Sequence, residues 1–133
     1  DHGIKPDEEL IRHMRPEIKS YSMESGYVLT RELLDSGKEF TAIFALSDTM
    51  AVGACRAIVE AGKRVPEDYS VAGFDGIELC SYYNPTLTTI RQPIQHIAEA
   101  SVKLLFDILA GRSGHQHKVF AGELLEQEST AKR

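Results

Sequence analysis

The sequence predicts an α/β fold built on a parallel sheet, and three observations carry the prediction. Residues 41–46 (TAIFAL) and 69–74 (YSVAGF) are short, nearly continuous apolar runs, too short for helices and suited to strands covered on both faces. Between them Ala51, Ala54, Cys55, Ile58 and Ala61 recur at i, i+3, i+4, i+7 and i+10, one face of a helical period. Gly62 then sits where a helix stop belongs, and Pro66 keeps the helix from restarting. Strand, helix and strand in this order make a βαβ unit with parallel strands and a right-handed connection. Ligands of open parallel sheets bind beyond the carboxyl ends of the strands. Here Ser47, Asp48, Asp75 and Gly76 occupy those ends.

The first residues, DHGIKPDEEL, read as the last turn of a helix, a glycine stop and a proline-containing loop, so the sequence is expected to be a fragment. Residues 8–15 are a short helix or an irregular excursion before Pro16, and 17–21 (EIKSY) a weak strand with only Ile18 and Tyr21 apolar. Ser22 is a good N-cap and Gly37 a good stop for the helix between them. Its inner face is Gly26, Leu29, Leu33 and Leu34, with the glycine allowing close packing on the sheet. A second βαβ unit is therefore expected ahead of the first. After Asp75, residues 77–83 (IELCSYY) give a turn or two of helix that Asn84-Pro85 ends, and 87–90 (LTTI) a short strand. The longest helix, 94–110, carries Ile94, Ile97, Ser101, Leu104, Leu105 and Ile108 on one face and closes at Gly111. Residues 111–118 are a polar loop, 119–125 a last strand and 126–133 a tail expected to fray.

The composition, 133 residues with a net charge of −5, fits a single globular core. No block of lysine or arginine is present, which argues against direct contact with nucleic acid or an anionic membrane by this segment. No apolar run approaches the length of a membrane span, and no signal-like start precedes Ile4. Cys55 and Cys80 have neither zinc spacing nor disulfide density, so they read as free thiols of a reducing compartment. His115-x-His117 lacks a third ligand nearby and reads as a solvated loop, so no metal and no cofactor are expected. An enzyme using Asp48 or Asp75 as acid or base would want a His, Lys or metal partner, and no such motif accompanies them.

Three segments, TAIFALSDTMAVGACRAIVEAG, RVPEDYSVAGFD and NPTLTTIRQPI, in this order and spacing, resemble the effector-binding domain of the lac and galactose repressor (LacI/GalR) family of bacterial transcription regulators. The resemblance runs from about Tyr21 to the end. It implies a periplasmic-binding-protein-like type I fold: two doubly wound α/β subdomains with a sugar or other small polar effector between them. This sequence then holds most of the C-terminal subdomain (1–92), a crossover helix and loop (93–118) expected to pack on an N-terminal subdomain outside it, and a final strand and tail (119–133). The first strand of the C-terminal subdomain, a DNA-binding helix-turn-helix headpiece and an effector-binding arginine just before HGI are likewise expected to lie outside it.

Three positions carry over from the resemblance. Tyr21 matches an aromatic that packs on the ligand, the rival reading being a tyrosine at the edge of the core. Ser47 matches a small polar residue that reaches the effector, and Asp48 beside it is given the helix-capping role. Asp75 matches the acid of GFD, which accepts hydrogen bonds from effector hydroxyls; its rival role is turn formation before Gly76. Lys19-Ser20 and Gly76 depart from the family pattern, and the stretch between Leu10 and Tyr21 is longer than usual, which leaves the effector's identity open.

Small residues on helix 50–61 permit another helix to approach closely. By the resemblance, this helix and residues 77–83 form a homodimer interface that includes Ala51, Ala54, Cys55, Ile58, Tyr82 and Tyr83. The expected function is effector sensing in a dimeric, cytoplasmic regulator, with DNA bound only through the headpiece. A periplasmic sugar-binding component of a transporter, which shares the fold, is the alternative.

Overall fold

The fold is organised around α2 (Asp48–Glu60), whose Ala51, Ala54, Cys55, Ala57 and Ile58 are 0–1 % exposed. The computed structural model describes residues 3, 5–112 and 116–132. In it α2 packs against α1 (Met23–Asp35) and against the strands β1 (Ala42–Phe44) and β2 (Ser70–Asp75). Its helical periodicity thus marks a buried face, as the spacing predicts.

The contact between α1 and α2 is made by backbone. A Cβ at Gly26 would lie 2.0 Å from the Met50 carbonyl oxygen, and one at Gly53 would lie 1.9 Å from that of Met23. Gly26 therefore serves close packing on α2 and not, as expected, on the sheet. Ser22 caps α1 reciprocally: the Ser25 amide donates to Ser22 Oγ and the Ser22 amide to Ser25 Oγ, each at 3.1 Å.

The sheet has the order β1-β2-β3-β4, where β3 is Thr88–Arg91 and β4 is Glu123–Leu125. The first three strands are parallel and β4 runs antiparallel to β3. The βαβ unit read from the sequence is β1, α2 and β2. No strand forms at 17–21, so the second such unit expected ahead of it does not exist among the described residues; Pro16 and three charged or polar side chains leave that stretch in turns. One edge of β1 consequently has no partner strand among the described residues. Its side chains alternate, with Ile43 turned inward and Phe44 60 % exposed, so the expectation of a strand covered on both faces does not hold for β1. Leu10, Met14, Leu33, Ile43 and Met50 line a groove of about 200 Å³ beside it.

Past β2 the chain forms the short helix α3 (Leu79–Tyr82) and then β3. The longest helix, α4 (Ile94–Leu109), buries none of its residues, and its Ile94, Phe106 and Leu109 are 59, 62 and 73 % exposed. The tail reverses expectation. Ser129 is fully buried: its hydroxyl donates to the Val71 carbonyl at 2.6 Å and accepts from the Thr88 amide at 2.8 Å. Its amide donates to the Thr86 carbonyl, and the Val71 amide donates to its carbonyl. The tail thus wedges between β2 and β3 at their amino ends, because backbone groups there have no strand partner and need one.

Candidate functional site

Because β1, β2 and β3 are parallel, their carboxyl ends meet at one edge of the sheet, and the loop leading into α1 joins them there. Asp48, the first residue of α2, stands at the centre with no exposure to solvent. Its Oδ2 accepts from the amides of Gly76 at 2.7 Å and Ile77 at 2.9 Å, and its Oδ1 from the Thr89 hydroxyl at 2.5 Å. This carboxylate ties the end of β2 and the middle of β3 to the start of α2. Gly73 makes room for it, since a Cβ there would lie 2.3 Å from Asp48 Oδ1. Beside it, burial first and the Asp48 carboxylate second push the Cys80 thiol up to about 12.

The capping role assigned to Asp48 belongs to Ser47, whose Oγ accepts from the Met50 amide at 3.3 Å. Ser47 is 4 % exposed, so the residue expected to reach the effector is a buried N-cap, and its neighbour is a buried clasp. The exchange has a physical reason. Both side chains can cap, and the carboxylate is drawn instead to three donors that a serine could not satisfy together.

Asp75 ends β2 with a backbone φ of 124°. One carboxylate oxygen accepts from Gln92 Nε2 at 2.7 Å, and the other has no hydrogen-bond partner among the described residues. An aspartate that shapes a turn ordinarily bonds the amides just after it. Those amides, of Gly76 and Ile77, are held by Asp48, which leaves the Asp75 carboxylate free of that duty. The Gly76 turn is fixed sterically as well: its φ is 76° and a Cβ would lie 2.6 Å from the Arg91 Cα. Arg91, opposite Asp75 in the register, pairs with Glu123 at 3.5 Å.

Tyr21 lies just before α1 with φ 54° and 53 % exposure. Its carbonyl accepts from Thr49 Oγ1 at 2.5 Å, and Thr49 in turn lies 3.0 Å from Ser47 Oγ. Tyr21 is thereby fastened to the start of α2. Among the described residues, Tyr21 and Asp75 are the non-glycine residues with positive φ. A backbone held there costs on the order of 1–3 kcal/mol, and such strain concentrates at ligand sites.

Thr49 escaped the sequence reading, and Gln92, read there only as part of the crossover into the long helix, was not tied to Asp75. Gln92 follows β3, and its amide also donates to the Asp75 carbonyl at 3.2 Å, so the crossover into α4 is bonded to the acid by side chain and by backbone. The only available signal was its place directly after β3, parallel to β2.

The surface assigned to a partner needs correction. Ala51, Ala54, Cys55 and Ile58 are core residues of α2, unavailable to a second subunit, because the helix that their small neighbours admit is α1 of the same chain. Tyr82 is 78 % exposed, and Tyr83 packs partly buried against the core. His115 lies outside the described residues, and no cluster able to hold a metal occurs among those described. None of the described helices is long and apolar enough to cross a membrane.

Known proteins share this fold. Residues 1–130 match the family model described as periplasmic binding protein-like domain. The regulator MalR of Clostridium butyricum is 40 % identical over 129 residues, 97 % of this chain and 37 % of that protein. A LacI family transcriptional regulator from Enterococcus faecium, solved with bound ribose, is 44 % identical with a TM-score of 0.72, over 84 % of this chain and 41 % of that one. The lac repressor dimer bound to operator and an anti-inducer is 36 % identical with a TM-score of 0.79, over 84 % of this chain and 39 % of that one. The chain therefore spans well under half the length of these relatives. It belongs to the periplasmic binding protein-like domain family, in the form carried by LacI/GalR transcriptional regulators.

Proposed function

We propose that this chain forms one wall of the effector cleft of a transcriptional regulator, and that its ligand is a sugar or a similar hydroxyl-rich molecule. The observation that carries the reading is Asp75: a strained strand-end carboxylate, half occupied by Gln92 and relieved of turn formation by Asp48. A carboxylate oxygen without a partner accepts hydroxyl hydrogens strongly and directionally. Tyr21 supplies an exposed aromatic face for a sugar ring. Ser47 supports the wall from beneath. A transporter component is the weaker reading, since the relatives named above are regulators.

The remaining wall, the headpiece that contacts DNA and the arginine expected before HGI belong, on this reading, to a longer polypeptide. The apolar side chains along α4 and the unpaired edge of β1 are the surfaces which that polypeptide covers. Gln92, bonded to Asp75 at the crossover, links effector occupancy to the angle between subdomains, and an effector acts by binding one angle better than the other. Tyr82, with Ile77 and Leu79 beside it, is the surface proposed for a second subunit. The regulator works in the cytoplasm and performs no catalysis.

Calorimetric titration of D-ribose and a panel of other mono- and disaccharides onto the full polypeptide tests the site. Asp75→Asn should weaken the ligand that binds by roughly 10- to 100-fold, the loss of one or two charge-assisted hydrogen bonds. Undiminished affinity in that variant would remove Asp75 from the site.

A further inference from the structure

We propose that Thr49 is a positioning residue of the effector cleft, the middle of a directional hydroxyl chain that holds Tyr21 in its left-handed backbone conformation and so sets where its ring meets the ligand. The proposal rests on the reading of Tyr21 as a ligand contact.

Proton accounting fixes the direction of the chain. Thr49 has one hydroxyl hydrogen, and the Tyr21 carbonyl can only accept, so the 2.5 Å bond consumes it. At the 3.0 Å contact with Ser47, Thr49 must then be the acceptor and Ser47 the donor. Ser47 Oγ meanwhile accepts from the Met50 amide. The hydrogen bonds therefore run from the α2 amide to Ser47, to Thr49, to the Tyr21 carbonyl, each polarising the next. Ser47 has no hydrogen left to offer a ligand, which explains how a buried cap can belong to the site without touching the effector.

The other restraints on Tyr21 do not fix its carbonyl. The Ser22 hydroxyl donates to the Lys19 carbonyl at 2.6 Å and the Ser22 amide donates to Ser25 Oγ, which closes the turn on either side of Tyr21. Thr49 is what bonds the carbonyl of the strained residue. The ring itself is half exposed and its phenol has no hydrogen-bond partner among the described residues, so its placement comes from the backbone and not from core packing.

The test labels the full polypeptide with 3-fluorotyrosine and assigns the Tyr21 fluorine resonance with Tyr21→Phe. Thr49→Val, which keeps the shape and removes the hydroxyl, should move the Tyr21 resonance, and Thr49→Ser should restore it. In titrations with D-ribose, lactose and cellobiose, Thr49→Val should weaken binding roughly threefold to tenfold. That loss should vanish when Tyr21→Ala is already present. A Tyr21 resonance unmoved by Thr49→Val, or a full Thr49→Val penalty persisting in the Tyr21→Ala background, would overturn the positioning role. Tyr21→Ala binding as tightly as the parent protein, with the resonance still responding to Thr49, would instead overturn the ligand role of Tyr21.

Discussion

Replacing Asp48 by alanine strands three donors at once. The Thr89 hydroxyl is fully buried and has no water to turn to, so its loss approaches the full cost of an unsatisfied buried group, about 1–3 kcal/mol. The Gly76 and Ile77 amides are only part-buried and regain water, so each forfeits about 1 kcal/mol of net bond. The sum, about 3–5 kcal/mol, is a large share of the stability of an ordinary domain. Asparagine has the same shape and keeps one oxygen for the two amides, while its NH₂ can donate to a rotated Thr89 hydroxyl. Asp48→Asn should therefore cost no more than about 1–2 kcal/mol. Urea unfolding followed by circular dichroism measures both, and hydrogen exchange at Gly76 and Ile77 reports whether the clasp is open. Equal losses in the two variants, or an alanine variant within 1 kcal/mol of the parent, would refute the account of Asp48 as a clasp.

Two further outcomes follow from other parts of the fold. Gly53→Ala places a methyl group 1.9 Å from the Met23 carbonyl and must push α1 from α2; a loss of about 1–3 kcal/mol or more is expected in thermal unfolding, and an unchanged melting curve would contradict the backbone contact. Burial raises the Cys55 thiol from the usual 9.0 to about 12, so the folded chain keeps a proton that the unfolded chain gives up. The resulting stability is present below pH 9 and lost as pH rises toward 12, at up to about 1.4 kcal/mol per pH unit. Cys55→Ala should flatten this part of the decline in denaturation measured at pH 8, 9 and 10, and an identical slope would exclude the thiol as its source.

What the sequence shows and what it hides divide along separation in the chain. The apolar runs of β1 and β2, the periodicity of α2 and the Ser22 cap of α1 are local patterns, and each led to the right element. The exchange of roles between Ser47 and Asp48 could not be read locally, because the donors that claim Asp48 lie 28, 29 and 41 positions away. Periodicity told which face of α2 is buried but not by what, so Ala51, Ala54, Cys55 and Ile58, covered by α1 and the sheet of the same chain, were assigned to a second subunit. Asp75 stood out by its place after an apolar strand. That its carboxylate is open became visible only when Asp48 was seen holding the amides of its turn.

The wedge made by Ser129 joins parts of the chain that are far apart in sequence. Its hydroxyl meets the Val71 carbonyl across 58 positions and the Thr88 amide across 41. Contacts of such length form late, after the loops that separate them have closed. Until Ser129 docks, the backbone groups of Val71 and Thr88 that it holds have no partner from it. A variant without residues 129–132 would leave the seam between β2 and β3 open, as an unpaired strand edge exposed to other chains. The serine thus latches two neighbouring strands through one side chain drawn from far along the sequence.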